Sequence, residues 1–440
     1  MNDSALKAVR VEHLADSGGC ESVGARISAV IPVLNGGRRL GQLLEKLKQQ
    51  KKVRDVEIIV LDSGSTDGST DTARAAGARV IEIPKGTFSH GGTRQLGAEQ
   101  AKGEYLLFTV QDAVPATDYL LFRMTRIMEQ HSELMVLSGR QVVNGEADLY
   151  SRWSITTMYS ALQLSKDMKY SLRCPDLFDE LPETSKRSLS FVDDVCACYR
   201  ASAVRKYGFA RIENAEDIEI GIRLLKGGHS LGFLYTTGVY HWHNSPADYF
   251  LKRHFVGVKS MVEILGRGLP DLGSLKITSL ADVTRTCVNL YETVRTSIDG
   301  LEGDESLSPR DISDFVSRLN AAFQGLAETD RHKAVGSAAI ERVLVSVGAK
   351  YEESQDLALI RSNPLLVPFF GQMRSLVNFV AATQALAPVA KYDFADAIYK
   401  ITGALIGEIL GQWYMKLVTE GRQSEMELVR DLLFKGICSN

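Results

Sequence analysis

The chain has 440 residues, with 51 Lys and Arg against 54 Asp and Glu, a formal net charge of −3. At 45% hydrophobic and 24% charged residues it has the makings of a buried core and is not disordered by composition. The near-neutral balance argues against nucleic acid as a partner, and six dispersed cysteines do not make a disulfide framework.

The first 26 residues are polar and mixed in charge, without the apolar core of a signal peptide, and are expected to form a flexible tail. From 27 to about 137, short apolar runs alternate with amphipathic stretches. Strands are expected at 27–34, 56–61, 79–83 and 105–110. Helices are expected at 40–47 (Leu40, Leu43, Leu44 and Leu47 at helical spacing), 69–76 and 93–101. This alternation specifies an α/β fold with a mostly parallel sheet covered by helices on both faces. Ligands of such sheets lie beyond the carboxyl ends of the strands. Asn35, Asp62 and Gln111-Asp112 therefore converge on one edge.

Residues 140–190 read as helices and loops. The apolar run 195–199 follows Asp193-Asp194 and makes Cys196 and Cys198 strand positions rather than zinc ligands. A helix is expected over 216–226, then short strands at 230–235 and 238–242. The pattern becomes helical from about 246, with a loop over 298–309 and further helices to 435. The domains expected are a tail (1–26), an α/β catalytic domain (27–265) and an α-helical extension (266–440). The most apolar stretch, 367–390, is interrupted by Gln372, Arg374 and Asn378, and falls short of the ~18–20 residues that cross a bilayer. A cytoplasmic location is expected.

Five motifs bear on chemistry, and each has a plain structural reading beside the functional one. Asp62-Ser63-Gly64-Ser65-Thr66-Asp67 follows a strand; its carboxylates suit base N–H groups or ribose hydroxyls, or simply cap the next helix. Gln111-Asp112 follows another strand, where a carboxylate holds a divalent cation or caps a helix. The run from Phe88 through His90, Gly91 and Gly92 to Arg94 opens a helix with glycines, an imidazole and a guanidinium, a combination suited to a diphosphate or to an ordinary helix start. Glu216-Asp217 opens a helix, as dipole-complementing acids or as a general base. His241-Trp242-His243 places two imidazoles on one face of a strand, for a metal or as surface histidines.

In this order the motifs resemble the family 2 glycosyltransferases, whose nucleotide-sugar fold is called GT-A. The match is closer to the bacterial rhamnosyltransferase-like branch, which carries Phe-x-His-Gly-x-Thr-Arg, a Gln-Asp-Ala-x-Pro in place of the metal-binding DXD, and a His-x-His. This chain has all three, at 88–94, 111–115 and 241–243. The resemblance covers about 27–260. It departs from the family at Gln111, where DXD has its first carboxylate, and at Gln95, where Asn is usual.

The resemblance implies an inverting transfer from a nucleotide-diphospho-sugar, with dTDP-rhamnose as donor, to a growing or lipid-linked surface glycan. Asp217, paired with Glu216, would be the base. Pro32, Asn35, Asp62, Ser63, Ser65, Asp67, His90, Arg94 and Gln111 would surround the donor. Asp112 with His241 or His243 would hold Mg2+ or Mn2+. Peripheral contact with the membrane and self-association through the helical extension are further expectations. A non-catalytic nucleotide-sugar scaffold is the competing reading, motivated by Gln111. A nucleotidyltransferase fits poorly, because Pro32-Val33-Leu34-Asn35 replaces the Gly-rich loop that class carries after its first strand.

Overall fold

The computed structural model describes residues 9–14, 22–84, 86–266, 268, 277–329, 366–384 and 387–434. The chain divides into two compact units. One comprises residues up to 146 together with 155–243; the other comprises 147–154 together with the chain from 244 onward.

The first stretch of chain runs β1 (Val9–His13), β2 (Ile27–Val33), α1 (Gly37–Lys48), β3 (Glu57–Asp62), α2 (Ser69–Ala75), β4 (Arg79–Glu82), α3 (His90–Gln100) and β5 (Tyr105–Thr109). It continues with β6 (Val114–Pro115), α4 (Leu120–Gln130), β7 (Leu134–Val142), α5 (Leu149–Ala161), β8 (Met168–Leu172) and a 3-10 helix Pro175–Glu180. Then come α6 (Glu183–Leu189), β9 (Cys196–Arg200), α7 (Ala201–Tyr207), α8 (Glu216–Lys226) and β10 (Ser230–Tyr240). The strands form one sheet in the order β1-β8-β10-β7-β9-β5-β2-β3-β4, with β6 added on β10.

The expected α/β alternation is what builds the sheet's parallel half, β5-β2-β3-β4. Its core follows from the periodicity: Leu40, Leu43, Leu44 and Leu47 of α1 are all buried against it. Each fully buried leucine contributes about 1.5–3 kcal/mol by leaving water. Beyond β5 the sheet is mixed, since β9 runs antiparallel to both β5 and β7 while β10 runs parallel to β7.

Three expectations about elements are corrected. Residues 9–13 are not tail but an edge strand, paired antiparallel to β8; Val9 and Val11 alternate with Arg10 and Glu12 at the period of a strand, although Val11 is exposed. The loop-like region 140–190 contains β8 itself. The two strands expected at 230–235 and 238–242 are one, β10, with a shift of register between Leu234 and Gly238. A side chain at 238 would collide with the Arg140 carbonyl, so glycine permits the close approach there.

The second unit contains α9 (Ala247–Leu265), α10 (Leu280–Ser297), α11 (Pro309–Thr329), α12 (Leu366–Thr383), α13 (Lys391–Glu420) and α14 (Gln423–Phe434). The helix α9, which the sequence reading counts with the first domain, packs on α13. Their contact has a clear sequence cause. Gly403, Gly407 and Gly411 recur every four residues on α13. A Cβ at 403 or 407 would strike the carbonyls of Ala247 or Leu251, and one at 411 would press on Val258 and the Phe255 carbonyl.

Most of α13 is buried, as befits the central helix of a core. The apolar stretch near 367–390 is accounted for by α12, whose Phe369, Phe370, Met373, Leu376, Val377 and Val380 enter that core. No described helix is long and apolar enough to cross a membrane. Lys400 is buried between Asp148 and Asp396, 2.6 Å from each.

Candidate active site

Strand directions collect the polar groups on one edge. Because β9 reverses between β5 and β7, the carboxyl ends of β2, β3, β5, β7 and β10 all point the same way, and the start of β9 lies among them. Asn35, Asp62, Gln111, Asp112 and His241 follow those ends, as expected. So do Gln141 at the end of β7 and Asp193-Asp194 before β9, which carry no motif of their own.

The first part of the edge is two loops laced together. Asn35 adopts a left-handed backbone (φ 52°), which Asn tolerates better than most residues. Its N–H donates to Ser65 Oγ at 2.9 Å, and its Oδ1 accepts from the Thr66 N–H at 2.8 Å. Gly37 N–H donates to Asp67 Oδ2, and Ser63 Oγ donates to the Val33 carbonyl. The Ser69 hydroxyl, with the Ser69 and Gly37 amides, holds the exposed Asp67 below its usual pKa. Ser63, Ser65 and Asp67 are thus engaged in shaping the loops. Asp62 differs: Oδ2 accepts from Gly64 and Ser65, but the buried Oδ1 has no partner among the described residues. A buried acceptor left so costs about 1–3 kcal/mol, which a ligand N–H or O–H would recover. Pro32 lies in β2 past its last pair with β5, where its missing N–H breaks no ladder to that strand.

Gln111 braces the loop that follows β2. Its Oε1 accepts from the Leu34 N–H at 2.8 Å and its Nε2 donates to the Leu34 carbonyl at 3.1 Å. A carboxylate cannot make the second bond, which explains an amide at the first DXD position.

Next along the edge, Asp112, His241 and His243 each present one ligand atom, all within 4.8 Å of one another. Asp112 Oδ1 and His241 Nε2 are 3.5 Å apart, too far for a good hydrogen bond and near enough for both to reach one ion. Burial pushes the Asp112 carboxyl up; His241, then His243 and Arg39, outweigh it and bring it below the usual value. The segment 241–243 lies just past β10 rather than in a strand, yet the His241 N–H still bonds the Val142 carbonyl. The alternation survives, so Trp242 turns away from the histidines and lies under the Arg39 guanidinium, 4.1 Å from its ring centre.

The third part is an acidic cluster. Ala215, at a left-handed φ of 65°, turns the chain into α8 and sets Glu216 and Asp217 at its start. The guanidinium of Arg94 was expected to meet a diphosphate. It is instead buried, paired with Glu216 and with Asp194 at 3.2 Å. Glu216 is buried with it, while Asp217 is half-buried. Two carboxylates 122 and 100 residues away along the chain capture Arg94, and no local pattern announces such partners.

Asp194 also accepts from the Tyr199 hydroxyl at 2.9 Å. Asp217 accepts from the Ile218 N–H at 2.8 Å. Its pKa is pushed up to about 7 by burial first, then by the charges of Glu216 and Asp193, with Arg94 opposing. A carboxyl near neutrality is matched to general-base work at physiological pH.

Gly91 lets α3 approach the loop before α8, since a side chain there would strike the Ala210 carbonyl and Glu216. His90 is exposed at the first turn of α3, edge-on to Phe88 at 5.0 Å, apart from the buried cluster. Gln95 accepts from the Phe209 N–H and bonds Glu99, a structural role.

Residues 28–208 match the family model described as Glycosyl transferase family 2. The chain is 24% identical over 238 residues to the O-antigen chain rhamnosyltransferase RfbN of Salmonella typhimurium, covering 53% of this chain and 72% of that protein. It is 21% identical over 229 residues to the O-antigen chain rhamnosyltransferase WbaN of Salmonella anatum, covering 51% and 69%. Among solved structures, the mannosyltransferase PcManGT of Pyrobaculum calidifontis aligns over 83% of this chain and 88% of its own, at 13% identity and a TM-score of 0.46. That likeness carries no statement about activity. The domain match and the two rhamnosyltransferase relatives support a glycosyltransferase whose residues 28–208 form a glycosyl transferase family 2 domain, similar to the rhamnosyltransferase-like branch.

Proposed function

We propose that the chain transfers a sugar, with inversion, from a nucleotide-diphospho-sugar to an acceptor hydroxyl. The observation that carries this reading is Asp217, a carboxyl with a pKa of about 7 on the sheet edge that also bears the Asp112, His241 and His243 cluster. Asp217 takes the proton of the acceptor hydroxyl. The freed oxygen pair bonds to the anomeric carbon, and the bond from that carbon to the diphosphate oxygen breaks on the opposite face, leaving its electrons on the nucleoside diphosphate. Asp62 Oδ1 accepts the N–H of a uracil or thymine base, and the laced loops around Asn35, Ser65 and Asp67 set the floor for the ribose.

Asp112, His241 and His243 would hold a divalent cation, which when bound neutralises charge on the departing diphosphate. Two imidazoles and one carboxylate suit Mn2+ better than Mg2+, which prefers oxygen alone. With Arg94 buried in its ion pairs, such an ion would supply counter-charge to the diphosphate, with Arg39 near Asp112. The donor proposed is dTDP-rhamnose, on the strength of the two rhamnosyltransferase relatives. The acceptor is a growing or lipid-linked surface glycan, reached at the cytoplasmic face of the membrane. Catalysis belongs to the α/β domain; the helical extension offers a surface for self-association, checked by light scattering of the full chain.

The test is a donor panel scored by product and by protection against thermal unfolding. Transfer from dTDP-rhamnose with an inverted anomeric centre, read by NMR of the product, is the expected result. Retention of configuration sinks the mechanism. Protection by a donor without any product would favour the non-catalytic scaffold. The reason for that second reading, the absent first carboxylate, has its own account in the bonds from Gln111 to Leu34.

A further inference from the structure

Behind the cation cluster lies a second row of side chains. His241 is buried, and its Nδ1 sits 2.8 Å from Gln141 Oε1. The amide nitrogen of the same Gln141 donates to Asp193 Oδ2 at 2.7 Å. Asp193 is buried too, and its Oδ1 accepts from the Val195 N–H at 3.1 Å. The Gln141 main chain is held in turn, its N–H donating to the Tyr159 hydroxyl at 2.6 Å.

The chemistry of these groups fixes the order of donors. A carboxylate only accepts, so Asp193 must face the NH2 end of the Gln141 amide. That leaves the amide oxygen toward His241, so the imidazole must donate from Nδ1. A neutral ring protonated on Nδ1 carries its lone pair on Nε2, the atom 3.5 Å from Asp112 Oδ1. The lone pair then points into the cluster as a ligand.

We propose that Gln141 and Asp193 are positioning residues that lock His241 in the Nδ1–H tautomer and so preform its Nε2 as a cation ligand. The inference rests on the cation reading of the cluster and deepens it, extending the site to two residues on β7 and before β9. Outer partners of this kind typically change metal affinity by about 10–100-fold when removed.

The test uses the full chain and Mn2+ alone, with binding read by the loss of the free-ion signal in electron paramagnetic resonance. Gln141→Leu keeps the shape and removes both bonds; its Mn2+ affinity should fall about 10–100-fold. The double variant Gln141→Glu/Asp193→Asn reverses the polarity of the second bond while still accepting from Nδ1–H. It should return affinity to within a few-fold of wild type, which a general packing defect at 141 would not allow.

Long-range proton–nitrogen NMR of the metal-free protein supplies the direct readout. His241, assigned by the signal missing from His241→Gln, should be protonated on Nδ1 in wild type and in the double variant, and lose that preference in Gln141→Leu. Protonation on Nε2 in wild type overturns the inference, as does a Gln141→Leu variant that binds Mn2+ like wild type. Failure of wild type itself to bind Mn2+ would overturn the cation reading, and the inference with it.

Discussion

Both units of the chain bury charge, and they do so to opposite ends. In the helical unit Lys400 lies between Asp148 and Asp396, and its two short ion pairs outweigh the cost of burial and hold its pKa above the usual value. One cation there faces two carboxylates, and Asp396 stays 47% exposed, so water screens the surplus. At the sheet edge Arg94 meets Asp194, Glu216 and Asp217, with Asp193 and Arg187 near Asp217, and the surplus is enclosed. Burial raises both Asp194 and Asp217, the latter to about 7. A surplus open to water holds structure, whereas an enclosed one keeps a carboxyl near neutrality.

The comparison can be broken from either side. The largest effect expected is from Asp217→Asn, which removes the base and should lower kcat by about 10²–10⁴ while the donor still protects against unfolding. Near-normal turnover would remove Asp217 from the mechanism. Lys400→Met leaves two carboxylates facing each other and should cost about 3–5 kcal/mol by denaturant titration, toward the lower end because Asp396 is 47% exposed. An unchanged midpoint would mean that the helical unit does not depend on the Lys400 ion pairs.

The pH dependence sharpens the contrast. A base must be deprotonated to act, so kcat/KM should rise about tenfold per pH unit up to an apparent pKa near 7 and level off above it. Arg94 holds Asp217 down, so in Arg94→Met the same limb should move to higher pH; a limb that stays in place would show that Arg94 is not the opposing charge. The smallest effect is expected from Gln111→Glu, which forfeits the bond to the Leu34 carbonyl and should cost about 1–3 kcal/mol of stability. Tighter Mn2+ binding with unchanged stability would instead make position 111 a vacant ligand.

Much of this was legible in the sequence, because it depended on local pattern. The strands and helices between 27 and 110 follow from period and punctuation, and Asp62 and Asp112 stand at strand ends that any parallel sheet directs to one edge. The acidic start of α8 and the alternation of His241 and His243 were also local. Arg94 was misplaced because its fate depends on Asp194 and Glu216, about a hundred residues downstream. Gln141 and Asp193 belong to no motif, and only the register of β7, β9 and β10 brings them together. The edge strand β1 and its neighbour β8, five residues each, gave too little periodicity to stand out from loops.

The glycine row on α13 has a consequence for how the second unit opens. Because the α9 backbone lies where side chains at 403, 407 and 411 would be, a slip of one turn would set Tyr399 or Met415 against a contact now made by a glycine. The pair is therefore one mechanical element: its amides should exchange with solvent together, at the slowest rate in the unit, with no partial opening between them.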